Sequence, residues 1–336
     1  MRSWLEISLS TIAANFRAIR ALAPGVEMVP VVKADAYGHG MIRVAQALEQ
    51  EGARWFAVSS FQEGLQLRKA GCGARILVMA DTGFDSAAHA GLTPVVHSLA
   101  EIPNVPYHLK IDTGMHRLGV RGSVEEIAEA VKGTPIEGIM THFASSSNFV
   151  LPQTREQLEA FDRVLAKVKP QYVHAASTNP LHFGLGNSWF NMARPGLALY
   201  GYVSQPKGMA PAQLLKVKPA LVWKARIIAV KDVAEGGLIG YGGTFRAKRK
   251  MRIAIVGAGY ADGVSRRLTN KGKFTGAVSM DVSTIDISAT PDLRPGDAVT
   301  LLGSGYDARD MARDSGTIAY SVLTGISARV SHVYTD

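Results

Sequence analysis

Lys33 stands where an apolar run stops. Val29-Pro30-Val31-Val32 reads as the end of a buried strand. Ala34-Asp35-Ala36-Tyr37-Gly38-His39-Gly40 reads as a loop punctuated by glycine. Burial disfavours the charged form of an amine and draws it toward its neutral, nucleophilic state. A lysine so placed could form a Schiff base or take a proton. An ordinary strand-end lysine turned to water is the open alternative. Other strand-like runs also end in reactive types. Lys110-Ile111-Asp112-Thr113-Gly114-Met115-His116-Arg117 closes one, Thr141-His142-Phe143 another and Ala176-Ser177-Thr178-Asn179 a third, while Arg194-Pro195-Gly196 lies inside a fourth. Taken singly, His142 reads equally as a core histidine, Arg117 as a surface residue after a glycine turn, and Ser177 and Thr178 as turn caps. Arg194, inside an apolar strand, is harder to assign to solvent. Together the set is cationic and hydroxylic, with Asp112 its one acid. It suits an anionic ligand, most plainly one carrying a phosphate and a carboxylate.

These residues share an address only if the elements beneath them form one ring. Eight short β-rich runs are legible: Met28 to Val32, Arg54 to Ser59, Arg75 to Met79, Thr93 to His97, Tyr107 to Ile111, Ile136 to His142, Tyr172 to His174 and Met192 to Tyr200. Amphipathic stretches such as Ile42 to Leu48, Val124 to Val131 and Gln157 to Val168 separate most of them; Ser98 to Val105 is too short for a good helix. This rhythm predicts an α/β fold with an N-terminal (β/α)8 TIM-like barrel, whose site lies at the C-terminal ends of its strands. An open doubly wound sheet is the alternative. Ser10 or Thr11 caps an opening helix with Ile12, Phe16, Ile19 and Leu22 on one face. Past Tyr200, Gln205 to Pro211 reads as a linker. Beyond it strands dominate, at Ala220 to Val230, Arg252 to Val256, Ala277 to Ile287 and Ala298 to Leu302. The expected division is a barrel over 11–205 and a C-terminal mostly-β domain over 212–336, which 1–10 joins.

With 336 residues and 47% hydrophobic content, the chain can bury two cores. Its net charge of +9 is scattered apart from the run Arg246 to Arg252. No aromatic-interleaved basic stripe points to nucleic acid, and no apolar run is long enough to cross a membrane. The N-terminal residues lack a signal-peptide pattern. One cysteine, Cys72, allows no internal disulfide and no zinc-type spacing, so no metal is expected and a cytoplasmic setting is the default.

The segment Val31 to Gly40 resembles the cofactor-lysine motif of the alanine racemases, fold-type III enzymes that use pyridoxal 5′-phosphate. Lys110 to Gly119 is similar to their Lys-x-Asp-Thr-Gly-Met-x-Arg-x-Gly, Met140 to Ala144 to their Thr-His-Phe-Ala, and Asn191 to Gly201 to their Arg-Pro-Gly-x-x-x-Tyr-Gly. Gly240 to Thr244 resembles the tyrosine-base motif; Gly259 to Gly263, Met280-Asp281 and Ala319-Tyr320 follow in order. The ordered set spans nearly the whole chain.

The resemblance implies that Lys33 holds the cofactor covalently and acts as one of two bases, with Tyr241 of the partner subunit as the other in a homodimer with shared sites. It implies that Arg194 faces the pyridine nitrogen with His142 bonded behind it. Arg117 would orient the substrate carboxylate and the cofactor's phenolic oxygen, and Lys110 would be carbamylated. Tyr37, Thr178, the backbone of Gly196 and Leu197, and Tyr320 would bind phosphate. Met280, Asp281 and Tyr260 would line the substrate entrance. The activity implied is interconversion of L- and D-alanine, supplying D-alanine for peptidoglycan. A broader racemase or a basic amino-acid decarboxylase on the same scaffold is the alternative, although such decarboxylases commonly carry a carboxylate where Arg194 stands. Cofactor carriers without catalysis lack the β domain and a counterpart of Tyr241. Val256-Gly257-Ala258-Gly259 lacks the third glycine and following helix of a nicotinamide site. The chain also departs from the family. Ser177-Thr178 replaces Asn-Ser, Ser145 to Asn148 replaces a stretch that usually includes an acid, and Ser321 stands where glutamate is common. These changes bear on turnover and substrate range more than on cofactor binding.

Overall fold

A computed structural model of the chain describes residues 1–82, 84 and 90–336. The chain divides into two compact units. One holds Ser10–Ala36 and Gly40–Lys218; the other holds Met1–Leu9, Tyr37–His39 and Pro219–Asp336. β1 (Ser3–Ser8) belongs to the second unit. Helix Leu9–Leu22 then leads into β2 (Glu27–Met28) of the first.

The apolar runs become the strands of a parallel sheet. β3 (Trp55–Val58), β4 (Arg75–Val78), β5 (Leu92–Val96) and β6 (Tyr107–Lys110) are buried along almost their whole length, as strands covered on both faces are. With β7 (Ile136–Met140) and β8 (Tyr172–His174) they lie side by side in chain order, every neighbouring pair parallel. β9 (Met192–Ala193) pairs in parallel with β2. Two seams then close the ring. Val32 N–H donates to Ala57 O and Ala57 N–H to Pro30 O, both at 2.9 Å, and Arg194 N–H donates to Ala176 O at 2.9 Å. An open doubly wound sheet has no such seams, so that alternative falls. Helices Val124–Val131 and Gln153–Leu165 turn Ile127, Val131, Phe161 and Val164 onto Leu109 and Ile139. Each such side chain contributes ~1.5–3 kcal/mol by leaving water. The connection from Ser98 to Val105 holds a single 3-10 turn, Leu99–Glu101, with Ser98 Oγ accepting from Ala100 N–H.

The segment after Lys33 differs from the expected loop. Lys33–Gly38 is a helical turn of left-handed twist: φ is +52° at Ala34, +51° at Asp35, +53° at Ala36, +54° at Tyr37 and +79° at Gly38. L-residues pay ~1–2 kcal/mol each for that twist. Ala36 N–H bonds Val32 O at 2.8 Å, Gly40 N–H bonds Asp35 O at 2.9 Å, and Asp35 Oδ1 accepts from Met41 N–H at 2.7 Å.

In the second unit β1 pairs antiparallel with β10 (Leu221–Val233) and parallel with the strand Ser331–Thr335. β10 also pairs with the strands Met251–Val256 and Ala298–Leu302. The pattern reading missed the last strand, the short hairpin of Leu238–Ile239 with Phe245–Arg246, and the helices Ala308–Ser315 and Ala319–Thr324. It also overextended one strand. Only Ser283–Asp286 of Ala277 to Ile287 is extended sheet, because Ser279 O and Met280 O are taken by Tyr260 N–H and Ala261 N–H. The basic run at Arg246 to Arg252 is tied locally: Arg249 reaches Asp286 and Arg252 reaches Asp232, both at 3.2 Å. Among the described residues no helix is long and apolar enough to cross a membrane.

Candidate active site

Strand ends bring Lys33, Lys110, Arg117, His142 and Arg194 within electrostatic reach of one another. Lys110 is 5% exposed and Arg194 3%. Burial first, then the Arg117 guanidinium, lowers the Lys33 amine, with Glu63 opposing. Burial, Arg117 and Arg194 bring Lys110 down to about 8. The acid among the strand-end residues does not neutralise them freely. Asp112 Oδ1 accepts from the N–H groups of Gly114, Met115 and His116 at 2.9–3.1 Å. Burial acts to raise that carboxyl, and these bonds outweigh it, so its pKa is lowered. The same bonds shape the turn that leads to Arg117.

Arg194 is fixed by its surroundings. Its Nη1 donates to His174 Nδ1 at 2.5 Å and to His174 O at 3.0 Å; its Nη2 donates to Thr141 O at 2.8 Å and Ala175 O at 3.2 Å. Four of five guanidinium donors are thus committed, which leaves Nε–H for a ligand. Burial lowers Arg194 to about 9, so it stays charged at neutral pH. The imidazole bonded to Arg194 is not His142, as the resemblance implies, but His174, at the end of the next strand. His142 follows β7 and is neutral, because burial and then the charges of Arg194, Arg117, Lys110 and Lys33 push it down to about 3. His174 Nε2 meets His108 Nδ1 at 2.7 Å. Since His174 Nδ1 accepts from arginine, its Nε2 must carry the proton and donate it onward, which sets both tautomers. A Cβ at Gly138 would stand 2.5 Å from the His108 ring, so only glycine leaves that imidazole its place.

Thr178 Oγ1 accepts from Gly196 N–H at 3.2 Å and Ala198 N–H at 3.3 Å, which joins the hydroxyl to the turn holding Gly196 and Leu197. In the second unit the rings of Tyr37 and Tyr320 stand 5.9 Å apart, and burial raises both phenols. Tyr241 sits in the hairpin turn after Gly240 and is 76% exposed. The Tyr260 turn is tied to the Ser279–Asp281 segment by Tyr260 N–H to Ser279 O, by Ala261 N–H to Met280 O and by a charge cluster. Arg2 holds Asp262 at 3.1 Å, Arg329 holds Asp281 at 2.8 Å, and each arginine also faces the other acid, at 3.9 and 3.5 Å.

The comparisons decide the family. Residues 7–204 match the family model for the alanine racemase N-terminal domain, and residues 220–334 that for its C-terminal domain. The chain is 37% identical to an alanine racemase of Carboxydothermus hydrogenoformans, covering 98% of this chain and 99% of that one. It is 36% identical to one of Halothermothrix orenii, covering 99% and 96%. The chain belongs to the alanine racemase family. Solved alanine racemases share its fold. That of a D-cycloserine-producing Streptomyces lavendulae superposes with a TM-score of 0.92 at 31% identity, over 100% of this chain and 97% of that one. That of Bartonella henselae, with covalently bound pyridoxal phosphate, gives 0.89 at 28% identity over the full length of both.

For an alanine racemase chain, sequence reading passed over four residues that shape the mouth. His174 and His108 hold Arg194. Gln157, 1% exposed, donates to His142 O at 3.1 Å and Thr113 Oγ1 at 3.3 Å and accepts from Ala144 N–H, so it ties two strand-end loops together. Glu63 bonds the Lys33 turn. His174 had a signal, a strand-end position next to Ala175-Ala176; the others read as ordinary helix or strand residues.

Proposed function

We propose that this chain interconverts L- and D-alanine with pyridoxal 5′-phosphate, which Lys33 holds covalently. The observation that carries the reading is the predominantly cationic mouth built from Lys33, Lys110, Arg117 and Arg194 beside a hydroxyl-and-backbone cradle at Thr178, Gly196 and Leu197. A phosphate-bearing, carboxylate-handling site needs such groups. When bound, the cofactor supplies an electron sink next to the substrate α-carbon. Arg194 keeps its proton, and its Nε–H would be the donor toward the cofactor's ring nitrogen, which would then stay unprotonated. Arg117 orients the substrate carboxylate. Thr178 would donate to the cofactor's phosphate, a role the family resemblance also gives to the un-ionised phenols of Tyr37 and Tyr320.

Racemisation takes a proton from one face of the α-carbon and returns it on the other, so two bases are needed. Lys33 Nζ serves the face bearing the hydrogen of D-alanine, and Tyr241 of the partner subunit serves the other. The exposure of Tyr241, Met280 and Tyr260 in a single chain supports a homodimer whose partner covers them. Met280, Asp281 and Tyr260 then line the entrance. His142 flanks the mouth as a neutral ring. Lys110 becomes a carbamate, because an amine lowered to about 8 is partly neutral and reacts with carbon dioxide near neutrality. The division of labour extends over 11–205 for the barrel and 212–336 for the β domain, and the D-alanine made in the cytoplasm feeds peptidoglycan. Tyr241→Phe tests the two-base reading. It is expected to slow deuterium uptake at the α-carbon of L-alanine at least tenfold more than that of D-alanine (~1.4 kcal/mol per tenfold), and equal slowing of both directions sinks it.

A further inference from the structure

Glu63 makes bonds that its own helix does not require. It is the third residue of helix Phe61–Lys69, and a capping box accounts for part of its contacts: Ser60 Oγ accepts from Glu63 N–H, and Glu63 Oε2 accepts from Ser60 N–H, both at 3.3 Å. Oε2 also accepts from Ser59 N–H at 2.6 Å, just past the end of β3. Oε1 accepts from Ala34 N–H at 2.7 Å, the residue after Lys33 and the first of the left-handed run. One carboxylate therefore binds a helix start, a strand end and a strained turn.

The strain explains the need. Four consecutive non-glycine residues, Ala34 to Tyr37, hold φ between +51° and +54°. Such a run persists only where its surroundings overdetermine it. The bond to Ala34 acts at its origin, one residue from the amine. Charge points the same way. Among the described residues the groups facing Lys33 are Arg117, Lys110, His142 and Glu63; Arg117 is cationic, Lys110 is cationic until it is carbamylated, His142 is neutral, and Glu63 is the carboxylate that opposes the shift at Lys33.

We propose that Glu63 is a positioning residue for Lys33: through Ala34 N–H it fixes the left-handed turn that aims the amine, and it supplies a negative charge beside that amine. The proposal rests on Lys33 being the cofactor lysine and the base for D-alanine. Glu63→Gln keeps the volume, removes the charge and can no longer accept on both oxygens. Two readouts follow. Full-length protein stripped of cofactor is titrated with pyridoxal 5′-phosphate across pH, and covalent capture at Lys33 is measured by absorbance and by mass spectrometry after borohydride reduction. Without its negative neighbour the amine loses its proton more readily, so the pH midpoint of capture is expected to fall in Glu63→Gln. In the loaded enzyme, α-deuterium uptake is expected to slow about tenfold more for D-alanine than for L-alanine, since a misaimed base costs that much or more. Glu63→Asp, which keeps the charge and shortens the reach, is expected to restore the midpoint and retain the asymmetry.

An unchanged midpoint with equal slowing of both enantiomers overturns the proposal, because a merely structural capping residue behaves that way. If Glu63→Gln does not fold, Glu63→Asp alone decides: symmetric exchange rates overturn, asymmetric rates support. Failure of the underlying reading looks different. Wild-type protein would then fail to racemise alanine, or Lys33→Ala would still capture the cofactor.

Discussion

Two groups of arginines in this protein are built on opposite principles. At the barrel mouth the four cationic residues Lys33, Lys110, Arg117 and Arg194 meet two acids, Asp112 and Glu63, whose carboxylates are each already engaged by three backbone N–H groups. In the β unit Arg2 and Arg329 face Asp262 and Asp281, two charges against two. The second arrangement is complete in itself. It joins the Tyr260 turn to the Met280–Asp281 loop and needs nothing further. The first is unfinished: buried positive charge without enough counter-charge costs stability unless an anion joins it. An unbalanced cluster marks where a ligand belongs, and a balanced one marks a structural joint.

The sharpest way to break that comparison is Lys33→Ala. It is expected to abolish the cofactor absorbance band and lower racemisation by ~10³-fold or more, as loss of a covalent catalytic group does; a band that survives would move the cofactor lysine elsewhere. Arg194→Ala comes next. It leaves His174 Nδ1 and the carbonyls of Thr141 and Ala175 without their donors, at ~1–3 kcal/mol for each buried group so orphaned. Urea unfolding should register at least ~3 kcal/mol of lost stability, and a loss near zero would show that the guanidinium is not what holds those strand ends. Asp262→Asn unbalances the finished cluster. It is expected to destabilise the protein by ~1–3 kcal/mol while the cofactor band persists, and loss of the band would erase the distinction between joint and site.

The smallest effect concerns Lys110. Its folded pKa of about 8 lies below the ordinary 10.5. Between those values the unfolded chain binds the extra proton, so stability rises with pH across that window and the burdened state is the one below pH 8. Lys110→Met is therefore expected to be more stable than bicarbonate-free wild type at pH 7, by no more than the ~3 kcal/mol that the shift allows, with the gap closing toward pH 10.5. Bicarbonate should narrow the gap at pH 7 by turning the amine into a carbamate. A gap that ignores both pH and bicarbonate would mean that Lys110 is stabilised some other way.

The barrel was legible because its strands are short, apolar and mostly spaced by helices, and five of the eight carried a reactive residue at a readable position. The handedness of the Ala34–Tyr37 turn was not. Those residues have no glycine among them, and their conformation depends on Glu63 and Met41, which lie outside the segment. The choice between His142 and His174 was equally hidden, since both end neighbouring strands and only the geometry of the ring says which imidazole Arg194 can reach. In the β unit, Met280 and Asp281 fall in an apolar, β-branched stretch that local propensity reads as strand. Two backbone bonds to the Tyr260 turn override it.

β1 has a consequence for how the molecule is made. Its partners are Leu221–Val233 on one side and Ser331–Thr335 on the other, in a register that sets Trp4 against Lys224 and Ser331. A ribosome adding roughly 5–20 residues per second emits the whole barrel first, so this apolar strand waits for ~10–45 s before its first neighbour exists. Its edges are open to other chains meanwhile. Newly made protein should thus pass through a stage with a finished barrel and an unpaired leading strand, and chaperones that bind extended apolar segments would find it there.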